Sequence, residues 1–318
     1  MYQPQSRSRC SPVDTLVPRK EMEFVSELER IGHREFFARY GFTVFQNALS
    51  LSAINETVAR IERHVIPYEG ELLRQGNRYE SHNRGGDRTP NDPMIINAIL
   101  NAHRINTDVL ADFPDQLLNL VCHPDIAAGL SEIDPRPPFT LQQTLLFFIS
   151  PHTALHIDSW GVDTIPPGYA YTVWVPLEDV NIRSGPPYLV PWKVGNLITL
   201  EEFGLSLPLE TETGTSERES SYHSYNEALE EHVRKQGPDP FTYLAKKGDS
   251  LVWSSLTPHG SWGSISGGWT RLSVQTLFRP TSLPWGNFIR FIQRDDVYDP
   301  GKEEHAFNKS FRIYNVPI

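Results

Sequence analysis

The spacing of apolar residues gives the chain two parts of different character. Between residues 21 and 130 apolar positions recur every three to five residues, as in EMEFVSELERIGHREFFARYG, where Phe24, Leu28, Ile31 and Phe36 share one face. This spacing predicts amphipathic helices, because a helical face repeats every three to four residues. The segment GFTVF that follows predicts a short strand.

From residue 139 onward the pattern changes to short segments rich in β-branched and aromatic residues, separated by Pro, Gly and Asp. These segments are LQQTLLFFI, TALHIDSW, YAYTVWVPL, PPYLVP, DSLVWSSL and TRLSVQTLF. Helical patterns of crossover length do not alternate with them, which favours an antiparallel core over a parallel sheet. The predicted fold is therefore mainly β with N-terminal helices, around a double-stranded β-helix core of the jelly-roll or cupin-like type.

The same patterns predict how the chain is organised. Residues 1–20 are polar and are expected to form a flexible tail. The rest is expected to form a single domain at 21–318, comprising a helical N-terminal part at 21–138, a jelly-roll core at 139–280 with a charged insertion at about 195–245, and a C-terminal extension at 281–318. The insertion either decorates the surface or forms a lid over the core.

Composition and charge narrow the possible functions. The chain has 318 residues, of which 39% are hydrophobic and 21% charged, which excludes a disordered protein. Its formal net charge of -10 disfavours binding to nucleic acid or to an acidic membrane surface. The two cysteines, Cys10 and Cys122, are too few for a disulfide framework. With neither a signal-like N-terminus nor a long apolar run, the expected location is cytoplasmic.

Candidate metal ligands come from pairs of the form His-x-Asp or His-x-Glu, which occur at residues 33–35, 123–125 and 156–158. His156 and Asp158 lie in the strand-like segment ALHIDSW, where residues two apart project to the same side and can bind one ion. His123 precedes a proline after a helical pattern, which is typical of a turn. The sequence therefore predicts His156 and Asp158 as the ligands.

A third ligand is required, because two histidines and one carboxylate form the facial triad of non-haem Fe(II) oxygenases. His259 is the candidate, since it follows a strand-like run and a Thr-Pro turn. Further along, Arg271 shares one face of the predicted strand TRLSVQTLF with Ser273 and Gln275. An inward-pointing arginine needs an anionic partner, and its planar guanidinium suits a carboxylate.

These residues resemble a known family. His156-x-Asp158, then His259, then Arg271-Leu-Ser273, together with TVWVPLEDVNIRSGPPYLVP, are similar to the phytanoyl-CoA hydroxylase (PhyH)-like family of Fe(II)/2-oxoglutarate-dependent dioxygenases. The resemblance covers roughly residues 139–280 and lies in the order and spacing of these parts.

The resemblance implies specific roles for the matched positions. Fe(II) would be bound by His156, Asp158 and His259, and Arg271 would pair with the distal carboxylate of the cosubstrate 2-oxoglutarate. The cosubstrate pocket would be completed by Ser273, Thr172, Trp174, Ser261 and Gln142. With O2, the enzyme would convert 2-oxoglutarate to succinate and CO2 and hydroxylate an unactivated C–H bond. Desaturation, ring formation and demethylation use the same kind of site, whereas the carboxylate of Asp158 disfavours halogenation.

The expected substrate is a small polar metabolite or natural-product intermediate, and the sequence leaves the oligomeric state open. Candidate substrate contacts are Arg84 and Arg88 in the polar loop 79–92, Trp160 after the metal-binding motif, and Tyr222 and His223 in the insertion. Two alternatives remain at this point. One is a cupin-like metal-dependent oxidase or isomerase that does not use 2-oxoglutarate, and the other is a non-catalytic binding protein on the same fold.

Overall fold

The computed structural model describes residues 23–75, 78–81, 97–150, 152–205, 215–264, 270–286 and 304–314, with backbone only at 78–81, 215–221 and 236. The expected tail at 1–20 and the candidate residues Arg84 and Arg88 lie outside these ranges. The described helices are α1 (residues 23–31), α2 (His33–Tyr40), α3 (Leu51–Arg60), α4 (Thr107–Leu110), α5 (Phe113–Val121), α6 (Pro124–Ile133) and α7 (Thr215–Gln236).

The described strands are short and fall mostly in the second half of the chain. They are β1 (Phe42–Phe45), β2 (Glu71–Arg74), β3 (Arg78–Ser81), β4 (Ile99–Leu100), β5 (Phe139–Phe147), β6 (Thr153–His156), β7 (Asp163–Thr164), β8 (Tyr171–Pro176), β9 (Pro187–Leu189), β10 (Phe241–Thr242), β11 (Ser250–Ser254), β12 (His259–Ser261), β13 (Ser273–Pro280), β14 (Trp285–Gly286), β15 (Glu304–Ala306) and β16 (Phe311–Tyr314).

Two antiparallel sheets form the core. The large sheet has the strand order β1-β11-β8-β13-β5-β4-β2-β3, and β16 runs parallel to β5 at one end of that strand, with β15 paired to β16. The small sheet has the order β10-β9-β12-β6, and β14 pairs with β7 separately. Neighbouring strands in these sheets come from distant parts of the chain, as in a jelly roll. The predicted fold class is confirmed.

The outer face of the large sheet is covered by helices. Val173, Val252 and Val274 are buried there and pack with Ile54 of α3 and Leu117 of α5. Because side chains alternate along a strand, the residues between these valines point to the opposite face of the sheet. Helix packing on one face therefore fixes which side chains face the interior of the jelly roll.

The N-terminal part contributes short strands to the large sheet in addition to its helices. β1 confirms the strand expected at GFTVF and pairs with β11 at one edge of the large sheet, while β2, β3 and β4 extend the other edge. The apolar spacing of residues 24–36 suggested one helix, but the structure has two, α1 and α2. Gly32 separates them with a φ of 79°, in the left-handed region that glycine adopts without strain.

The insertion covers the outer face of the small sheet. Tyr225, Leu229 and Val233 of α7 are buried in one cluster with Leu155 of β6 and Val190, which follows β9. The helical pattern expected near 226–234 lies within α7, which extends from Thr215 to Gln236. The insertion therefore packs as part of the core.

A buried carboxylate fastens the segment that follows β6. Asp163 accepts hydrogen bonds from Ser159 Oγ at 2.5 Å, Ser255 Oγ at 2.7 Å and the backbone N–H groups of Thr164 and Gly168 at 2.7 and 2.8 Å. These bonds tie the turn after β6 to the residue that follows β11. Burial raises the pKa of Asp163 to about 6, because desolvation disfavours the charged carboxylate.

We expect this raised pKa to make stability depend on pH. The folded-state pKa of about 6 lies above the ordinary carboxyl value of 3.8, so the contribution of Asp163 is greatest below pH 3.8 and is lost as pH rises through 6. The loss amounts to about 3 kcal/mol. The measurement is urea denaturation of wild type and of Asp163→Asn at several pH values. The unfolding free energy of wild type minus that of the variant should decrease as pH is raised from about 4 to 6.5.

The control is Asp179→Asn. The backbone N–H of Lys247 lowers the pKa of the Asp179 carboxyl below its ordinary value of 3.8, so the corresponding difference should stay nearly constant from about pH 4 to 6.5 and should fall only at lower pH. A difference between wild type and Asp163→Asn that stays constant across this pH range would contradict the assignment.

Candidate metal centre

A cavity of about 680 Å³ lies between the two sheets. Its walls include Trp174 and Trp253 from the large sheet and His156 and His259 from the small sheet. A volume of this size is typical of small-molecule sites. Because both sheets contribute, the cavity exists only when the jelly roll is closed.

Strand pairing brings the two histidines together. β6 and β12 are antiparallel, and His156 is paired directly with His259, with their ring centroids 4.3 Å apart. Asp158 lies in a 3₁₀ turn, Asp158–Trp160, after the end of β6. The expectation that His156 and Asp158 share one face of a strand is therefore wrong, because the strand ends before the carboxylate. The turn directs Asp158 towards the two imidazoles instead.

The three side chains present one ligand atom each at close range. Asp158 Oδ1 lies 3.9 Å from His156 Nε2 and 3.6 Å from His259 Nε2, and the candidate ligand atoms all lie within 4.8 Å of one another. Among the described residues no hydrogen-bond donor is paired with Asp158 Oδ1 or with either Nε2 atom. The three ligand atoms thus converge on one point of the cavity wall.

Hydrogen bonds to the backbone fix the orientation of both rings. Nδ1 of His156 lies 2.9 Å from the carbonyl oxygen of Ala154, and Nδ1 of His259 lies 2.9 Å from that of Thr257. A carbonyl oxygen can only accept, so each Nδ1 carries the proton and each Nε2 presents its lone pair to the cavity. Burial also lowers the pKa of His259 to about 4, which keeps its ring neutral at physiological pH.

The carboxylate is held through its other oxygen. Asp158 Oδ2 accepts hydrogen bonds from Thr172 Oγ1 at 2.6 Å and from Trp253 Nε1 at 3.1 Å. These bonds leave Oδ1 as the atom directed at the imidazoles. Two neutral imidazole nitrogens and one carboxylate oxygen, oriented by further hydrogen bonds, form a donor set that fits a divalent transition metal such as Fe(II).

A buried arginine lines the same cavity. Arg271 is 4% exposed, its guanidinium lies over the rings of Phe147 and Trp174 at 5.7 and 5.9 Å, and Nη1 donates to the Gly185 carbonyl at 2.6 Å. Its Nε has no hydrogen-bond partner among the residues that the structure describes. Desolvation lowers the pKa of Arg271 to about 9, so the side chain stays charged at neutral pH. A buried cation with an unpaired donor fits an anionic ligand such as a carboxylate.

The motif TVWVPLEDVNIRSGPPYLVP holds this arginine in place. Glu178 accepts from the Leu272 N–H at 2.6 Å and from Thr270 Oγ1 at 2.8 Å, on either side of Arg271. Gly185, whose carbonyl receives the guanidinium, has a φ of 74°, and a Cβ there would lie 2.2 Å from the Trp262 carbonyl oxygen. Glycine is therefore required at this close approach.

The other expected cosubstrate residues divide into two groups. Trp174 and Ser261 line the cavity, and Ser261 Oγ donates to Thr153 Oγ1 at 3.0 Å. Thr172 and Ser273 are buried but do not line it. Thr172 contacts the carboxylate of the triad instead, and Ser273 Oγ donates to the backbone carbonyl of residue 271 at 3.2 Å.

Gln142 also does not line the cavity, because alternation along β5 places Gln143, Leu145 and Phe147 on the cavity face. The register between β5 and β13 shifts at a β-bulge, where Gln142 has no partner residue on β13. With its amide oxygen oriented by the hydrogen-bond network, Gln142 accepts from Trp285 Nε1 at 3.1 Å and from Arg279 Nε at 3.2 Å.

The substrate candidates are placed as follows. Trp160 and Tyr222 line the cavity, with ring centroids 5.5 Å apart, so α7 contributes directly to its wall. His223 is exposed and contacts the Tyr222 ring at 5.6 Å without lining the cavity, because it lies on the solvent side of α7. Arg84 and Arg88 lie outside the described residues.

The sequence did not predict that Trp253, Phe147 and Gln143 line the cavity. Trp253 was within a predicted strand, six residues before His259, but its bond to the triad depends on the pairing of β11 with β8. Phe147 and Gln143 belong to the strand that carries the bulge. Inward-facing aromatic residues on predicted strands were the available signal, and they do not reveal which strands are neighbours.

The family model described as Phytanoyl-CoA dioxygenase (PhyH) matches residues 37–272. The structure of SnoK, a non-haem alpha-ketoglutarate-dependent carbocyclase from nogalamycin biosynthesis, superposes with a TM-score of 0.54 and 17% identity over 84% of this chain and 91% of that one. The structure of the epimerase SnoN in complex with Fe3+, alpha ketoglutarate and nogalamycin RO superposes with a TM-score of 0.52. The sequence identity is 18%, and the match covers 92% of this chain and 97% of that one.

At these identities the two structures show a shared fold. No curated protein sequence is similar enough to be matched to the chain. The family match, by contrast, covers most of the chain and contains the triad of His156, Asp158 and His259 together with Arg271. The chain therefore belongs to the phytanoyl-CoA dioxygenase family of non-haem iron, 2-oxoglutarate-dependent oxidoreductases.

Proposed function

We propose that this protein hydroxylates an unactivated C–H bond of a small molecule, with Fe(II) bound by His156, Asp158 and His259 and 2-oxoglutarate bound by Arg271. One observation carries the proposal. Among the described residues, three ligand atoms and a buried arginine whose Nε lacks a hydrogen-bond partner line a single cavity. A metal and a dicarboxylate would satisfy both at once.

Bound Fe(II), with 2-oxoglutarate and O2, supplies the oxidation, in which 2-oxoglutarate is converted to succinate and CO2. The residues of the chain supply position and environment. Thr172 and Trp253 keep one oxygen of Asp158 occupied, so that the other is directed to the metal position. Trp174 and Phe147 shield the guanidinium of Arg271 from water, which strengthens its attraction for a carboxylate.

Hydroxylation is the proposed outcome because it requires only that a substrate C–H bond be held near the metal. The carbocyclase SnoK and the epimerase SnoN share this fold, so the fold alone does not select the reaction. Selection must come from how the cavity wall orients the substrate. Ring formation, desaturation and demethylation are the outcomes that a different orientation would give.

The proposed substrate is a biosynthetic intermediate held between the metal centre and the aromatic pair Trp160 and Tyr222. The cavity volume of about 680 Å³ supports a small molecule. Among the described residues, no helix combines the length and apolar character needed to cross a membrane. The cytoplasmic location and the single domain at 21–318 stay predictions.

The first experiment tests the metal centre. Anaerobic addition of Fe(II) and 2-oxoglutarate should produce the visible charge-transfer band of the chelated complex in wild type and not in His156→Ala, which lacks one ligand nitrogen. The control is His123→Ala, which removes the histidine of the other His-x-Asp pair, the N-cap of α6. That variant should keep the band. A band in His156→Ala, or none in wild type, would contradict the proposal, and Fe(II) binding without the band would support the cupin-like alternative.

The second experiment tests the cosubstrate contact. Arg271→Met keeps the apolar stem but removes the charge, and should weaken 2-oxoglutarate binding by at least about 30-fold. Arg271→Lys should lose less, since it keeps the charge without the planar guanidinium. Titration of the charge-transfer band measures both constants, and calorimetry with Mn(II) alone should show unchanged metal affinity. Equal 2-oxoglutarate affinity in wild type and Arg271→Met would refute the assignment.

The third experiment tests the support of Asp158. Thr172→Val removes the hydroxyl that donates to Asp158 Oδ2 and should weaken Mn(II) binding by about 10- to 100-fold. Thr276→Val is the matched control, because its buried hydroxyl donates to the Val173 carbonyl at 3.1 Å, away from the cavity. Both variants should unfold at similar temperatures without metal. Equal metal affinity in the two would show that the contact does not position the ligand.

A further inference from the structure

Two glutamines lie side by side on the cavity wall. Gln143 on β5 and Gln275 on β13 both line the cavity, and the register pairs Gln275 with Leu145 and Gln143 with Leu277. The glutamines are therefore diagonal neighbours on one face of the sheet. Residues in this relation lie roughly 7–8 Å apart, so long side chains can contact the same ligand.

These glutamines lie beside the metal and cosubstrate positions. Gln275 is paired with Trp174, the ring beneath the guanidinium of Arg271. Gln143 lies in the same cross-strand row as Thr172, two strands away from it. Both carboxamides thus face the part of the cavity next to the proposed cosubstrate, where a substrate must be held to react.

Both carboxamides lack a protein partner. Neither the Gln143 nor the Gln275 side chain forms a hydrogen bond with any described residue, although both are partly shielded by the cavity. Both side chains are half-buried at the cavity wall, so a ligand can replace water as their hydrogen-bond partner. Each carboxamide can both donate and accept, so it suits hydroxyl and carbonyl groups.

In the described part of the cavity wall, no charged side chain remains to pair with the substrate. In the cavity wall, the groups that would bind the metal and the cosubstrate are His156, Asp158, His259 and Arg271. The proposed function uses all four of them, so none is left to pair with a charged substrate. A divalent metal, one carboxylate, one guanidinium and a dianionic cosubstrate sum to zero. A charged substrate group entering this part of the cavity would lose its hydration without meeting an opposite charge.

We propose that Gln143 and Gln275 recognise the substrate, and that the substrate is an uncharged ring compound bearing hydroxyl or carbonyl groups. The rings of Trp160, Tyr222 and Phe147 supply flat apolar surface for such a framework. The proposal rests on the proposed function, because it assigns the metal and Arg271 to the cofactor and cosubstrate. Gln143 and Gln275 are the specificity-determining residues.

The test uses ring compounds of one size on the anaerobic Fe(II) and 2-oxoglutarate complex. Cyclohexanol, cyclohexanone and 2-piperidone are the neutral probes, and cyclohexanecarboxylate and cyclohexylammonium are the charged ones. Binding is followed by ligand-observed NMR and by the shift of the charge-transfer band. The proteins are wild type, Gln143→Leu, Gln275→Leu, Gln275→Glu, and Gln46→Leu, which makes the same change at an exposed turn.

In wild type the neutral probes should bind at least about tenfold more tightly than the charged probes. Each cavity leucine variant should weaken neutral-probe binding by about tenfold while keeping the 2-oxoglutarate affinity of wild type. Gln46→Leu should behave as wild type. Gln275→Glu should gain affinity for cyclohexylammonium, because it introduces the missing countercharge.

Several results would overturn the inference. These are tighter binding of a charged probe, no binding of the neutral probes, or neutral-probe binding unchanged in both cavity leucine variants. Weaker 2-oxoglutarate binding in the leucine variants would assign the amides to the cosubstrate and also overturn it. Absence of the charge-transfer band in wild type would instead overturn the proposed function, so the two failures are distinguishable.

Discussion

The antiparallel pairing of β6 with β12 is the constraint on which the rest of the site depends. It places His156 opposite His259, and backbone carbonyls turn both Nε2 lone pairs towards Asp158. Three electron-rich atoms held this close repel one another unless a cation lies between them. The fold therefore holds the three ligand atoms in position, so that little reorganisation is needed when the metal binds.

The large sheet carries the side chains that orient the carboxylate of Asp158. Its inner face carries Thr172 and Trp253, which hold the triad carboxylate, while Arg271 lies just before β13 beneath the same cavity. The outer face of that sheet is buried against α3, α5 and α6, so its strands cannot shift register without exposing apolar side chains. Helix packing on one side of the sheet thus secures the hydrogen-bond geometry on the other, and stability and chemistry share the same strands.

The cavity wall has two parts, one that suits the metal and the cosubstrate and one that suits the substrate. The triad and Arg271 are set by strand pairing and by the motif around Glu178 and Gly185, and they suit a metal and a dicarboxylate. The remaining wall consists of aromatic rings and neutral amides, which suit recognition more than proton transfer. Proteins named as a carbocyclase and an epimerase share this fold, so the fold by itself does not determine the reaction.

The sequence by itself determined the jelly-roll class and the residue types of the site. Alternating β-branched segments and the order of His156, Asp158, His259 and Arg271 are local patterns, which can be read without knowing how the strands pair. Only the tertiary structure decided that Asp158 lies in a turn, that Trp253 supports it, and that Gln143 rather than its neighbour faces the cavity. These features depend on hydrogen-bond register between strands distant in sequence, and local periodicity does not encode that register.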